Sequence, residues 1–173
     1  SLQINSKTKY KMKKVFFTAI LLVGVTFASQ AQTISKHAIG LRLGGGNGYG
    51  AEVSYQHALG DNNRLELDLG WRNDDDFGSY KLAALYQLVW NIEGGFNWYA
   101  GVGGGVGSIS DNRFERNNDG AFVFAAGDIG IEYNFDKPLL ISLDFRPEIG
   151  FYGDEYPLNS FSPDIALGIR YQF

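Results

Sequence analysis

Between Phe161 and Phe173 the chain alternates without a break between two kinds of residue. The odd positions hold Phe161, Pro163, Ile165, Leu167, Ile169, Tyr171 and Phe173; the even positions hold Ser162, Asp164, Ala166, Gly168, Arg170 and Gln172. Successive side chains of a β-strand point to opposite faces, so this segment predicts a strand with one apolar and one polar face. Seven earlier segments obey the same rule. Ile39, Leu41 and Leu43 oppose Gly40 and Arg42, and Val53 and Tyr55 oppose Glu52, Ser54 and Gln56. Leu65, Leu67, Leu69 and Trp71 oppose Glu66, Asp68, Gly70 and Arg72. Leu82, Ala84, Tyr86, Leu88, Trp90 and Ile92 lie opposite Lys81, Ala83, Gln87 and Asn91. From Phe96 to Val106, Trp98, Ala100 and Val102 oppose a near-glycine row of Gly101, Gly103, Gly105 and Gly107. Ala125, Ile129, Ile131, Tyr133 and Phe135 oppose Asp128, Glu132 and Asn134, while Ile141, Leu143, Phe145, Ile149 and Phe151 oppose Ser142, Asp144, Arg146, Glu148 and Gly150. No segment carries a convincing helical period, so the predicted class is all-β with eight antiparallel strands.

Alternation alone also fits a soluble sandwich or a lipocalin-like barrel, and the placement of the aromatics separates these options. Let the first strand run away from the periplasm and each later strand reverse. The periplasmic ends then carry Tyr55, Trp90, Phe96, Trp98, Tyr133, Phe135, Tyr171 and Phe173. The opposite ends carry Tyr49, Trp71, Tyr80, Phe151 and Phe161, and the apolar face between is mostly Leu, Ile, Val and Ala. Two aromatic belts around an aliphatic band mark a lipid-facing surface. Connection lengths agree. Gly60–Asn63, Glu93–Gly95 and Asp136–Pro138 are short, whereas Asn73–Ser79, Ser108–Gly120 and Gly153–Ser160 read as longer outer loops. The prediction is an up-and-down transmembrane β-barrel over residues 32–173.

Residues 1–31 read as a separate segment. Lys11, Lys13 and Lys14 surround Met12, an apolar run follows from Val15 to Phe27, and Ala28-Ser29-Gln30-Ala31 supplies small residues for cleavage. This is the pattern of a cleavable signal peptide for the Sec pathway, too short in its apolar part for a spanning helix. Met12 reads as the natural start, which makes residues 1–11 an upstream extension. Subtracting the five lysines of residues 1–31 from 15 basic residues, with all 19 acids retained, leaves a net charge of −9. That balance opposes nucleic acid as a partner. With no cysteine in the chain, disulfides, thiolate metal sites and lipid attachment at a lipobox are excluded.

The signal segment, the eight alternating strands and the terminal Arg170-Tyr171-Gln172-Phe173 together resemble the small outer-membrane barrel superfamily, which includes the OmpA transmembrane domain, OmpX and the opacity-type adhesins. The resemblance implies a bacterial outer-membrane location among lipid and lipopolysaccharide. It also implies that Tyr171 and Phe173 act as the signal read by the barrel assembly machinery.

In a barrel of eight strands the inward face would hold Arg42, Glu52, Glu66, Asp68, Arg72, Lys81, Asp128, Glu132, Asp144, Arg146, Glu148, Asp164 and Arg170. Such a barrel is just wide enough for side chains to fill it, so these charges are expected to pair and plug the lumen. A narrow ion pathway is the alternative reading, kept open by the glycine row. Phe122, Phe124, Leu85 and Val89 fall on the nominally polar face, and Pro147 predicts a bulge or an early strand end. Gly44 to Gly50 reads as a hairpin turn rather than a phosphate loop, because a strand follows and no lysine is in place. No cofactor or metal motif is present. A lipid A-modifying enzyme would need a histidine, a serine and a carboxylate at the outer leaflet, but His37 and His57 fall near the periplasmic ends. The expected role is therefore non-enzymatic, in envelope structure or in surface interaction through the outer loops, with an unspecified extracellular ligand.

Overall fold

The computed structural model describes residues 34–45, 50–74, 77–111, 118–152 and 161–173. The signal segment 1–31, Tyr49 and the connection Gly153–Ser160 lie outside these residues, as does the side chain of Arg72. Among the described residues there are eight strands: β1 (His37–Gly44), β2 (Ala51–Ala58), β3 (Asn63–Asp74), β4 (Phe77–Glu93), β5 (Phe96–Asp111), β6 (Asn118–Asn134), β7 (Leu139–Tyr152) and β8 (Phe161–Gln172). Each pairs antiparallel with its chain neighbours, and β1 pairs with β8 to close the barrel. The closure continues one residue past the ladder: the His37 N–H donates to the Phe173 carbonyl at 3.1 Å and the Phe173 N–H to the His37 carbonyl at 2.9 Å.

The alternation read from the sequence maps onto the wall. Arg42, Glu52, Asp68, Lys81, Arg146 and Asp164 are buried within the barrel. Leu41, Leu69, Leu82, Ile131, Leu143, Ile165 and Ile169 are exposed on its outer surface. The three turns at the His37 end are tight. Among them Gly94 adopts a positive φ of 54° in the two-residue link between β4 and β5, a conformation that glycine reaches without steric strain. At the other end Gly50 has φ 74° and its carbonyl accepts from Gly44 N–H at 2.8 Å, closing the β1–β2 hairpin around residues outside the description.

Two expectations are corrected. In the segments Asn73–Ser79 and Ser108–Gly120 the described residues are strand: Asp74 pairs with Phe77, and Asp111 with Asn118. Asp, Asn, Gly and Ser residues interrupt the apolar alternation there, but the backbone ladder continues through them. Pro147 neither bulges β7 nor ends it. Pairing with β6 lapses beside it, at Gly127 and Asp128, but β8 continues to hold the strand, with Pro147 opposite Pro163. The bulge lies further along, where Val123 faces Tyr152 and Phe124 faces Gly150, leaving Phe151 as the extra residue.

The off-pattern apolar residues and the glycine row account for each other. Ala83, Leu85, Phe122, Phe124 and Ala126 form a buried cluster inside the wall. A side-chain carbon at Gly105 would strike the Phe124 ring and the Leu82 carbonyl, and one at Gly107 would strike the Phe122 ring. Large residues on β6 thus occupy the space that β5 leaves empty. By contrast, a carbon added at Gly120 meets nothing within 4 Å. Gly105→Ala is therefore expected to destabilise the barrel by about 1–3 kcal/mol through overpacking. Gly120→Ala should stay within about 0.5 kcal/mol. Urea unfolding of the two variants in lipid vesicles measures the difference.

Candidate functional site

The lumen is organised around guanidinium groups, each meeting carboxylates from several strands. Arg42 on β1 donates to Asp144 on β7, to Asp164 on β8 at 2.6 Å and to Glu52 on β2 at 3.2 Å. Arg146 on β7 donates to Glu52 at 2.5 Å and to Asp68 on β3 at 2.7 Å, and its Nε lies 3.1 Å from Glu148. Lys81 on β4 reaches Glu148 at 2.7 Å and Glu52 at 3.3 Å, with its ammonium 5.3 Å from the centre of the Phe124 ring. Glu52 thus sits among three cations. The cluster ties together β1, β2, β3, β4, β7 and β8.

Two smaller clusters lie nearer the His37 end. Arg170 donates to Glu66 and Ser54, both at 2.9 Å, and to Ser142 at 2.8 Å; Gln56 also donates to Glu66, at 2.6 Å. Arg64 pairs with Glu132 at 2.8 Å, donates through Nε to Gln87 at 2.6 Å and stands 4.8 Å from the centre of the Tyr99 ring. Gln87 donates to Asp128, and Asn97 to Glu132 at 3.2 Å. Below Arg64, Ile34 packs inward with Val89 and Tyr99. Together with Ser35 it lines a small pocket shared with Gln56, Arg64, Glu132 and Gln172.

Twelve of the thirteen inward charges expected from the sequence are described, and all twelve are buried. Sequence reading missed Arg64. It follows the inward parity of β3, but it abuts Asp61-Asn62-Asn63, which reads as turn. Ile34 was missed because it precedes the first alternating residue. With Arg64 included, the described interior holds five cationic side chains (Arg42, Arg64, Lys81, Arg146, Arg170) and eight carboxylates (Glu52, Glu66, Asp68, Asp128, Glu132, Asp144, Glu148, Asp164). Among the described residues, Asp68 Oδ1, Asp144 Oδ2 and Glu148 Oε2 have no hydrogen-bond partner. The arrangement can bind strands to one another across the lumen. Among the described residues, no group of three or more His, Cys, Asp or Glu side chains is placed to hold a metal.

The outer wall carries the aromatic residues at its two ends. Around the His37 end they touch in sequence. Trp90 stacks on Trp98 with centroids 4.3 Å apart, and Tyr133 meets both Phe96 and Phe135 at 4.6 Å. Tyr171 lies 6.3 Å from Phe173, which stacks at 5.3 Å on His37, which in turn faces Tyr55 at 6.1 Å. At the other end Trp71 pairs across strands with Tyr80, and Phe151 and Phe161 are exposed. Exposed Leu, Ile and Val occupy the band between. An apolar exterior with rings at both margins and charges paired within inverts a soluble protein, and it is the construction of a membrane-spanning barrel.

Comparison with known proteins supports that class. No protein-family model and no curated protein matches the chain. Among solved structures, it is similar to the N-terminal β-barrel domain of Pseudomonas aeruginosa OprF, with a TM-score of 0.60 and 15% identity over 79% of this chain and 95% of that one. Neisserial surface protein A matches with a TM-score of 0.58 and 12% identity, covering 79% of this chain and 94% of that one. Ail, the attachment invasion locus protein of Yersinia pestis, matches at 0.55 and 15%, covering 80% and 97%. At these identities the likeness is one of fold: the chain is an eight-stranded antiparallel closed barrel, the fold of these small outer-membrane proteins.

Breaking a buried ion pair by removing one partner strands the other charge, which typically costs about 3–5 kcal/mol. Glu52→Gln removes the carboxylate shared by Arg42, Arg146 and Lys81, but each keeps another: Asp144 and Asp164 for Arg42, Asp68 and Glu148 for Arg146, and Glu148 for Lys81. It is therefore expected to lower the free energy of unfolding by less, about 1–3 kcal/mol, measured by urea titration in vesicles. An exposed wall substitution such as Leu41→Val serves as the reference.

Proposed function

We propose that the protein is a non-enzymatic integral protein of a bacterial outer membrane, exported through the Sec pathway. Its interior is a side-chain plug, and its work is done in envelope structure or in surface interaction at the outer hairpins. The observation that carries this reading is the division of the barrel into a lipid-compatible wall and a lumen crossed by paired charges. Three further features support it. Strands β4, β5 and β6 run to 17, 16 and 17 residues against 8 for β1 and β2. A tilted strand needs only about 9–11 residues to cross the hydrocarbon, so these hairpins rise past the Trp71–Tyr80 belt. The rigid body below them suits display of a binding surface. The enzymatic alternative finds no support in the histidines, because both lie on the outer wall at the end away from these hairpins.

The partners we assign are outer-membrane lipid and lipopolysaccharide around the wall, and the barrel assembly machinery reading Tyr171 and Phe173. Both side chains are exposed on the closing seam. A pore is the competing reading, favoured only by the surplus of carboxylates within the lumen.

Two measurements test the proposal. The protein extracted from an outer-membrane fraction should change mobility on SDS gels with boiling; recovery as a soluble periplasmic protein without that shift would overturn the membrane reading. Purified barrel in planar bilayers should be silent across several salts. A steady cation-selective conductance that changes in Glu52→Gln would establish the pore instead.

A further inference from the structure

His37 and His57, the only two histidines of the chain, face each other across β1 and β2 on the outer wall. Ala58 N–H donates to the Lys36 carbonyl at 3.0 Å, so the next pair along the ladder, His37 and His57, is a non-hydrogen-bonded pair. In such pairs the side chains stand closest. Their Nδ1 atoms are 3.3 Å apart and their ring centroids 4.9 Å apart. Tyr55 Oη lies 2.8 Å from His37 Nδ1. Both rings are half-buried at the margin of the wall, and that of His37 stacks on Phe173 of the aromatic belt.

At most one proton can lie between the two Nδ1 atoms at their 3.3 Å separation. With protons on the Nε2 atoms, both Nδ1 atoms can ligate, that of His37 once the Tyr55 hydroxyl hydrogen-bonded to it at 2.8 Å turns aside. Imidazole nitrogens bind zinc at about 2.0–2.1 Å in tetrahedral geometry, which separates adjacent ligand nitrogens by roughly 3.3–3.4 Å. The observed spacing needs no rearrangement of either strand to meet that requirement. Borderline metals suit imidazole, and copper binds such sites most tightly.

We infer that His37 and His57 form a bidentate site for a late first-row divalent metal, Cu²⁺ or Zn²⁺, on the periplasmic margin of the barrel. Solvent completes the coordination, and Tyr55 Oη stands near enough to join or to hydrogen-bond a bound water. The site is open and exchangeable rather than a caged structural centre, since only two imidazoles contribute. It lies next to the seam, because His37 also pairs through its backbone with Phe173. A metal there clamps β1 to β2 at the strand that closes the barrel.

The test uses the chain refolded into detergent micelles and titrated with Cu²⁺ alone, followed by electron paramagnetic resonance. One copper per chain with hyperfine structure from two imidazole nitrogens is expected. Loss of second-shell partners already weakens metal sites by about 10–100-fold, so His37→Gln or His57→Gln should weaken binding more than tenfold, while Tyr55→Phe should weaken it less. Zn²⁺ should raise the temperature at which the compact band is lost on SDS gels in the parent and not in either variant, since a ligand held only by the folded state stabilises it. Each variant must keep its boiling-dependent shift, which shows that it is folded. Equal copper affinity in the parent and in His37→Gln/His57→Gln would overturn the assignment, and so would a one-nitrogen spectrum.

Discussion

A sheet that faces lipid has no solvent to satisfy its backbone, and every unpaired N–H or C=O in hydrocarbon costs several kcal/mol. Closure of β1 on β8 is therefore the condition on which the rest of this molecule depends. Closing with eight strands then dictates the interior. The lumen is narrow, and inward positions hold either paired polar groups or packed apolar ones. Both solutions are present here, on different sides. Charges from β1, β2, β3, β4, β7 and β8 meet across the lumen around Arg42, Glu52 and Arg146, while Phe122 and Phe124 of β6 lie over the glycines of β5.

The charged side is not to be read as a simple source of stability. Desolvating several ions can offset most of what their attraction returns, and replacing a whole buried cluster with apolar groups is often neutral or stabilising. What such a cluster does supply is register. Slipping one strand by a single residue would turn Glu52 or Asp68 toward lipid and bring a leucine inward. The wall of Leu, Ile and Val resists the same slip from its own side. The charges bind the outward pattern to one alignment of strands.

Much of this was legible in the residues because the solvent is inverted on both sides of one wall. Leu67 or Ile169 had to face out and Asp68 or Arg170 in, so the alternation reported the fold directly. Where Asp, Asn, Gly and Ser break the apolar alternation the signal vanished. The hairpins beyond Trp71 and Tyr80 continue as ladder, yet they read as loops for that reason. Arg64 obeyed the parity but adjoined a turn, and its partners Glu132, Gln87 and Tyr99 come from strands remote in sequence. Pro147 misled because its effect on the ladder was judged locally. The strand is held there by β8 on one side and by the lumen contacts of Arg146 and Glu148, which a sequence pattern does not display.

The two halves of the interior have different consequences for the outer rim. On the β5–β6 side, the rings of Phe122 and Phe124 stand over glycines within a few residues of the point where the hairpin leaves the belt. Packing of this kind is close-fitting and tolerates little change in volume. On the β1–β2 side the strands end at Gly44 and begin again at Ala51, and nearby Arg42, Asp164 and Glu52 form an ionic network. The tall hairpin is thus seated on an apolar footing, and the short one on a polar footing. The two footings meet at Lys81, whose ammonium pairs with Glu52 and Glu148 and lies 5.3 Å from the centre of the Phe124 ring.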